Sequence, residues 1–273
     1  MRYAIAKQVD IVHVLNVPLG NIGEFDCVNM IINSIGLGQG GWIITCNTDI
    51  MRKHMLDPTF RRLAAEASLI VADGMPLIWA SRVQGAPLPE RVAGSNLISS
   101  LSAAAARAGR SVFLLGGDPG TAEEAADALR RVSPELLVAG TLCPPPGFES
   151  DASRMDEIRV ALERTQPAIV YVALGSPKQE VLIAQLRDAF PASWWIGVGI
   201  SFSFLAGRVR RAPRWIQRCG LEWAHRLCQE PGRLARRYLL HGIPFTMFLL
   251  MNSMIARVRK ETLLLKTRVP RQP

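Results

Sequence analysis

The chain has 273 residues, 49% of them hydrophobic and 20% charged, too apolar for disorder and ample for one large domain with an appendage. The formal charge of +9 is unevenly placed: from Ser201 onward 15 Lys and Arg face three acidic residues, whereas the first 200 residues hold 17 basic and 20 acidic ones. A polyanionic partner is therefore expected for the tail and not for the body, and five scattered cysteines without CxxC spacing exclude a disulfide framework or zinc site and fit a reducing compartment.

Taken in chain order, IVHVLNV and FDCVNMIINSI pattern as an N-terminal strand and helix. GWIITCN (41–47), SLIVADG (68–74), SVFLLGG (111–117), LLVAGT (136–141), AIVYVALG (168–175) and WWIGVGI (194–200) then read as strands. Each is a continuous apolar run, as strands covered on both faces require. Between them TAEEAADALRRV, with Thr121 as a candidate cap, DASRMDEIRVALERT and PKQEVLIAQLRDAF carry helical periodicity. The alternation predicts an α/β fold, a doubly wound, Rossmann-like, mostly parallel sheet. After about Gly207 strands stop and arginine density rises, which divides the chain into an α/β catalytic domain (1–207) and a basic, amphipathic helical appendage (208–273).

The opening MRYAIAKQVDIVHVL lacks a secretory layout, because Asp10 interrupts the apolar run and no small-residue cleavage site follows. The apolar segment Ile243–Ala256 is shorter than the ~18 residues of a membrane span and contains Pro244 and Asn252. The expectation is a cytoplasmic protein with no transmembrane helix.

Open parallel sheets bind ligands at the carboxyl ends of their strands, and four segments end or follow the apolar runs there: 45–47, 73–74, 116–120 and 175–180. Thr45 and Asn47 alternate and so share a side. Asp73 suits the cap of the next helix and equally a strand-end general base. Gly116 and Gly117, in LLGGDPGTAEEA, suit either an anion-binding turn or a plain strand–helix turn, with spacing that departs from G-x-G-x-x-G. Gln179 follows GSPK, and Arg91 lies in the polar loop PERVAGSNLI, where a solvated arginine is the ordinary case. His13, His54, His225 and His241 have no paired spacing, no D-x-D occurs and no G-x-S-x-G occurs. Neither a metal site, another cofactor nor a hydrolase triad is expected.

TCNTD, ADGMPLIWA, ERVAGSNL, FLLGGDPG, VALGSPKQE and GVGISFSFLAGRVRRAPRWIQRCGLEWAHRLCQEPGRLARRYL occur in an order that resembles the WecG/TagA/CpsF bacterial glycosyltransferases, over roughly Leu15 to Leu239. The resemblance implies inverting, metal-independent transfer of a sugar from a UDP-sugar to a polyprenyl-diphosphate-linked saccharide. The setting it implies is exopolysaccharide or cell-surface glycan assembly, peripheral on the inner face of the cell membrane. It further implies Asp73 as general base, Thr45, Asn47, Arg91 and Gln179 as pocket residues, and an appendage, here with Arg210, Arg211 and Arg214, that closes over the site at the membrane. Ser203 stands where many members carry a carboxylate. Physically, arginine replaces a metal at a diphosphate well, since it donates bidentately, and Trp215 and Trp223 suit a surface apolar on one side and wet on the other.

Three other readings compete, one of them a catalytically silent membrane-associated scaffold, against which the retained site residues argue. An NAD-dependent oxidoreductase on a similar sheet needs a glycine fingerprint and an acidic ribose ligand that cannot be placed. A nucleic-acid-binding protein would use the tail, yet no recognition motif occurs and the acidic body repels a long polyanion. Oligomeric state and the sugar transferred are left open.

Overall fold

In the computed structural model, which describes residues 9–268, the six apolar runs become β3 (Gly41–Cys46), β4 (Leu69–Ala72), β5 (Val112–Gly116), β6 (Val138–Leu142), β7 (Ile169–Ala173) and β8 (Trp194–Gly197). They form one parallel sheet in the order β4-β3-β8-β7-β5-β6. Alternate residues feed two cores. Trp42, Ile44, Phe113, Leu115, Val170, Val172 and Trp195 pack on one face, and Ile43, Val71, Leu114, Tyr171, Trp194 and Ile196 on the other. Helices on both faces explain why these strands read as unbroken apolar runs. β6 departs from that rule. It is an edge strand, only partly buried at every position.

The N-terminal strand is in fact a hairpin, β1 (Ile11–Val14) and β2 (Val17–Gly20), separate from the main sheet. The chain reverses at Leu15 and Asn16, whose φ values of 48° and 64° give the paired left-handed turn that matches strand twist. Val14, Val17 and Leu19 are fully buried, so IVHVLNV is apolar because both arms of the hairpin face the core.

On one face lie α1 (Glu24–Gly36), α5 (Gly94–Arg107), α6 (Thr121–Val132) and the short α9 (Ser201–Leu205). The other carries α2 (Thr48–Leu56), α3 (Pro58–Ala64), α4 (Met75–Val83), α7 (Ala152–Thr165) and α8 (Lys178–Leu186). Thr121 does not cap α6. Gly120 holds that position at φ 80°, and the Thr121 hydroxyl donates to the Asp118 carbonyl at 2.6 Å.

Beyond Gly207 the chain forms α10 (Arg214–Arg218), α11 (Glu222–Gln229), α12 (Pro231–Ala235), a π-helical turn (Arg236–Gly242) and α13 (Ile243–Arg268). This appendage folds back onto the body. α13 packs on α4 and inserts Leu249, fully buried, into the first core, with Phe245 and Leu250 beside it. The opposite face leaves Leu240, Met247, Met251 and Met254 exposed.

The span Arg236–Arg259 is long and apolar enough, by length and composition, to cross a membrane. This corrects the expectation that the segment is too short. The π-helical turn and α13 run on without a break, so Leu239 and Leu240 lengthen it. Pro244 falls at the second residue of α13, beside the register change. Asn252 stays helical by donating from Nδ2 to the Phe248 carbonyl at 2.9 Å.

Candidate active site

Chain order breaks at the centre of the sheet: β3 leads outward to β4, while its other neighbour, β8, closes the series from β7. Strand ends that diverge leave a crevice. A cleft of about 610 Å³ opens there, with Thr45, Asp73, Gln179 and Gly197 at its floor. The appendage supplies the opposite wall through Glu222, Trp223, Arg226, Arg237 and Tyr238.

Asp73 follows β4 directly, and its backbone N–H donates to the Cys46 carbonyl at 2.7 Å, which fixes the strand end. Its side chain does not cap α4. Gly74 occupies that cap without a side-chain hydrogen bond, and Asp73 Oδ2 instead accepts the Gly94 N–H, at the start of α5, at 3.3 Å. Burial pushes the Asp73 carboxyl up to about 6, against the lowering pull of Arg91 and the Gly94 hydrogen bond. A carboxylate with that value is a usable base near neutral pH.

Thr45 donates from Oγ1 to the Gly197 carbonyl at 3.1 Å, tying β3 to β8 under the cleft. Asn47 caps α2: its Oδ1 accepts the N–H groups of Asp49 and Ile50, each at 3.0 Å. Gln179 is buried and committed at both ends. Its Nε2 donates to Glu180 Oε1 at 2.9 Å and its Oε1 accepts the Gly199 N–H at 3.2 Å. A Cβ at Gly197 would lie 2.4 Å from Gln179 Nε2, so only glycine admits that amide. Burial also raises the Glu180 carboxyl. These three residues therefore shape the cleft as much as they line it.

Charge in the cleft is mostly paired. Arg91 Nη1 meets Glu222 Oε2 at 2.8 Å, Arg237 Nη2 meets Asp49 Oδ2 at 3.2 Å, and Arg226 Nη2 lies 3.7 Å from Glu230. Arg52 differs. It lines the cleft, its Nε is buried without a hydrogen-bond partner, and among the described residues no acidic group pairs with it. Also among the described residues, no group of three or more His, Cys, Asp or Glu side chains comes together that could hold a metal ion.

Of the residues singled out from the sequence, Thr45, Asn47, Asp73, Arg91 and Gln179 converge on the cleft. Gly116 and Gly117 lie outside its lining. Their φ values of 95° and 85° meet a backbone need. The space a Cβ would take at Gly117 is held by Thr121 Oγ1 at 2.4 Å and Phe202 at 3.1 Å. Arg210 and Arg214 are exposed and also outside the lining. Arg211 braces the wall from behind, reaching Asn96 Oδ1 at 2.5 Å and the Ser95 carbonyl at 3.4 Å. Ser203 is buried and outside the lining. Sequence reasoning passed over Arg52, Glu222, Arg226 and Arg237. Arg52 had a usable signal, since Thr48 and Arg52 are four apart on α2 and both line the cleft.

The cleft sets a buried carboxylate at the switch point of a parallel sheet, walled by arginines suited to phosphate, an arrangement that suits a group-transfer enzyme. The sequence profile of the glycosyl transferase WecG/TagA/CpsF family matches residues 12–259. The chain belongs to that family. It is 33% identical over 200 residues to an N-acetylglucosaminyldiphosphoundecaprenol N-acetyl-beta-D-mannosaminyltransferase of Bacillus spizizenii strain W23, covering 72% of this chain and 75% of the relative. It is 31% identical over 199 residues to the protein of the same description in Bacillus subtilis strain 168, with the same shares covered.

Proposed function

We propose that this glycosyltransferase moves a sugar, with inversion, from a UDP-sugar to a saccharide carried on a polyprenyl diphosphate. The observation that carries this is Asp73, raised to about 6 at the floor of a cleft walled by Arg52, Arg91, Arg226 and Arg237. The Bacillus relatives, named for transfer to a diphosphoundecaprenol-linked sugar, support the choice of acceptor.

In this reading the acceptor hydroxyl gives its proton to the Asp73 carboxylate as its oxygen bonds to the donor's anomeric carbon. The bond from that carbon to the diphosphate oxygen breaks on the opposite face, and UDP leaves. One base and one displacement suffice. Charge gathering on the leaving diphosphate needs cations already in place. Arg52, with no acidic partner among the described residues, is the group best prepared to meet it. A guanidinium bound to an acid must first give that partner up. Arginines here do the work a metal ion does elsewhere, so turnover needs no added metal.

In this reading the reaction takes place at a lipid surface, on the inner face of the cell membrane. Supporting this, Trp215, Leu240, Met251 and Met254 are exposed in a tail rich in arginine, which suits anionic headgroups over an apolar layer. With α13 packed on α4, the helix lies along the surface with its free face in the lipid. Exopolysaccharide or cell-surface glycan synthesis is the setting that fits such an acceptor.

The test is incubation of the protein with a panel of UDP-sugars and a short-chain prenyl-diphosphate saccharide, products being read by mass. Gain of one sugar residue with release of UDP is expected. Absence of transfer from every UDP-sugar, with NAD rather than UDP raising the Tm, would overturn it.

A further inference from the structure

The appendage meets the body at Glu222, the first residue of α11. One oxygen, Oε2, accepts from Arg91 Nη1 at 2.8 Å, and the other lies 3.6 Å from Arg211 Nε. The two arginines come from different places. Arg91 belongs to the loop between α4 and α5, and Arg211 to the segment ahead of α10, reaching across to Ser95 and Asn96 of α5. The three side chains are 14% (Arg91), 19% (Glu222) and 25% (Arg211) exposed. Taking Glu222 away would leave two guanidinium groups side by side and largely out of water, a far costlier state than the loss of a surface ion pair.

The backbone before Glu222 is built to seat it. Gly220 has φ 72°, and a Cβ there would lie 2.7 Å from the Trp79 ring and 2.8 Å from Met75 Cβ, so the turn is pressed against α4. Gln217 adds a second hold on Arg91, its Oε1 accepting from Nη2 at 3.3 Å while its Nε2 donates to the Ala212 carbonyl at 2.7 Å.

We propose that Glu222 is a positioning residue, which latches the appendage over Asp73 by holding Arg91 and Arg211 in one part-buried ion cluster. The proposal rests on Asp73 being the base of the transfer. The charged groups that bear on Asp73 are Arg91, Arg211 and Glu222, alongside the Gly94 N–H, and those that meet Glu222 are Arg91 and Arg211. Glu222 therefore acts through its arginines. When it is neutralised, Arg91 and Arg211 stand uncompensated beside Asp73, and α11 loses its ion pair to the body at Arg91, while α13 stays packed on α4.

Glu222→Gln and Glu222→Asp, each checked for a cooperative thermal transition, are compared with wild type by two measurements. The first is backbone amide exchange across α10 and α11, which does not depend on catalysis. Glu222→Gln should exchange about ten-fold faster there, and Glu222→Asp, which keeps the charge, should stay close to wild type. The second is the acid limb of the kcat/KM profile, which Glu222→Gln should move to lower pH by about one unit. Unchanged exchange in Glu222→Gln would overturn the latch, whatever the pH profile does. Should Glu222→Gln not fold, Gly220→Ala, which displaces the same turn, must accelerate exchange in α10 and α11 or the latch is overturned. Faster exchange with an unmoved acid limb would support the latch and count instead against Asp73 as the base.

Discussion

Replacing Asp73 by Asn separates a catalytic carboxylate from a structural one, because the two roles pull stability in opposite directions. Burial raises its carboxyl from 3.8 to about 6, about two units, which at ~1.4 kcal/mol per unit costs the folded state about 3 kcal/mol once the group is ionised. Below pH 3.8 both folded and unfolded chains hold the proton and nothing is lost. Between 3.8 and about 6 the unfolded chain releases it while the folded chain keeps it, so stability falls as pH rises, levelling off above 6. Asp73→Asn has no proton to lose, and its amide oxygen can still accept the Gly94 N–H. Denaturant unfolding of both proteins from pH 4 to pH 8 should therefore show the variant gaining on wild type with pH, by about 2–3 kcal/mol at neutral pH. Turnover of the same variant should drop by ~10²–10⁴. A stability difference that stays flat across that range, or one favouring wild type more as pH rises, would refute the reasoning.

Wild-type turnover should rise with pH through about 6 and then level, the ionised form of Asp73 being the active one; a profile flat from pH 5 to pH 8 would exclude it as the base. Arg52→Ala should weaken UDP binding about ten- to hundred-fold, the worth of one charge-assisted hydrogen bond, with little change in Tm, since Arg52 holds no ion pair among the described residues; calorimetric titration with UDP reads this. Chelation by EDTA should leave turnover intact, and loss restored by added Mg²⁺ would contradict arginine as the counter-charge. Truncation after Gly207 should abolish liposome binding and also transfer to a soluble short-chain acceptor, because Trp223, Arg226 and Arg237 leave the cleft wall. It should lower Tm as well, since α4 loses the cover of Leu249; equal rates for the two proteins would reduce the appendage to an anchor.

Most of the sheet was legible because burial on both faces writes itself as unbroken apolar runs; all six runs are strands of it, although the edge strand β6 is only partly buried. The N-terminal hairpin was not. Its reversal uses Leu15 and Asn16 with no glycine, so a single Asn beside a leucine is all that marks the turn. At the site, polar residues ending apolar strands were visible as candidates, and Thr45, Asn47, Asp73 and Gln179 do meet at the floor. Arg91 was found only through family likeness, since a loop arginine carries no local sign that Glu222, 131 positions away, will hold it. The glycine pair has a local reason: Gly116 and Gly117 both have positive φ, and Thr121 and Phe202 fill the space beside Gly117, while both glycines lie outside the cleft lining. In the tail, composition announced the arginines but could not choose among them. Arg210 and Arg214 point outward while Arg226 and Arg237 line the cleft, a difference set by how α10 to α13 fold back.

The central claim is a single displacement with Asp73 as the only base, and the stereochemistry of the new linkage tests it most directly. With an α-linked UDP-sugar and a short-chain prenyl-diphosphate acceptor, the one-bond carbon–hydrogen coupling constant at the new anomeric carbon distinguishes the two outcomes. The account predicts a β linkage, inverted at the anomeric carbon. An α linkage would demand a second nucleophile or a front-face path, and would contradict it.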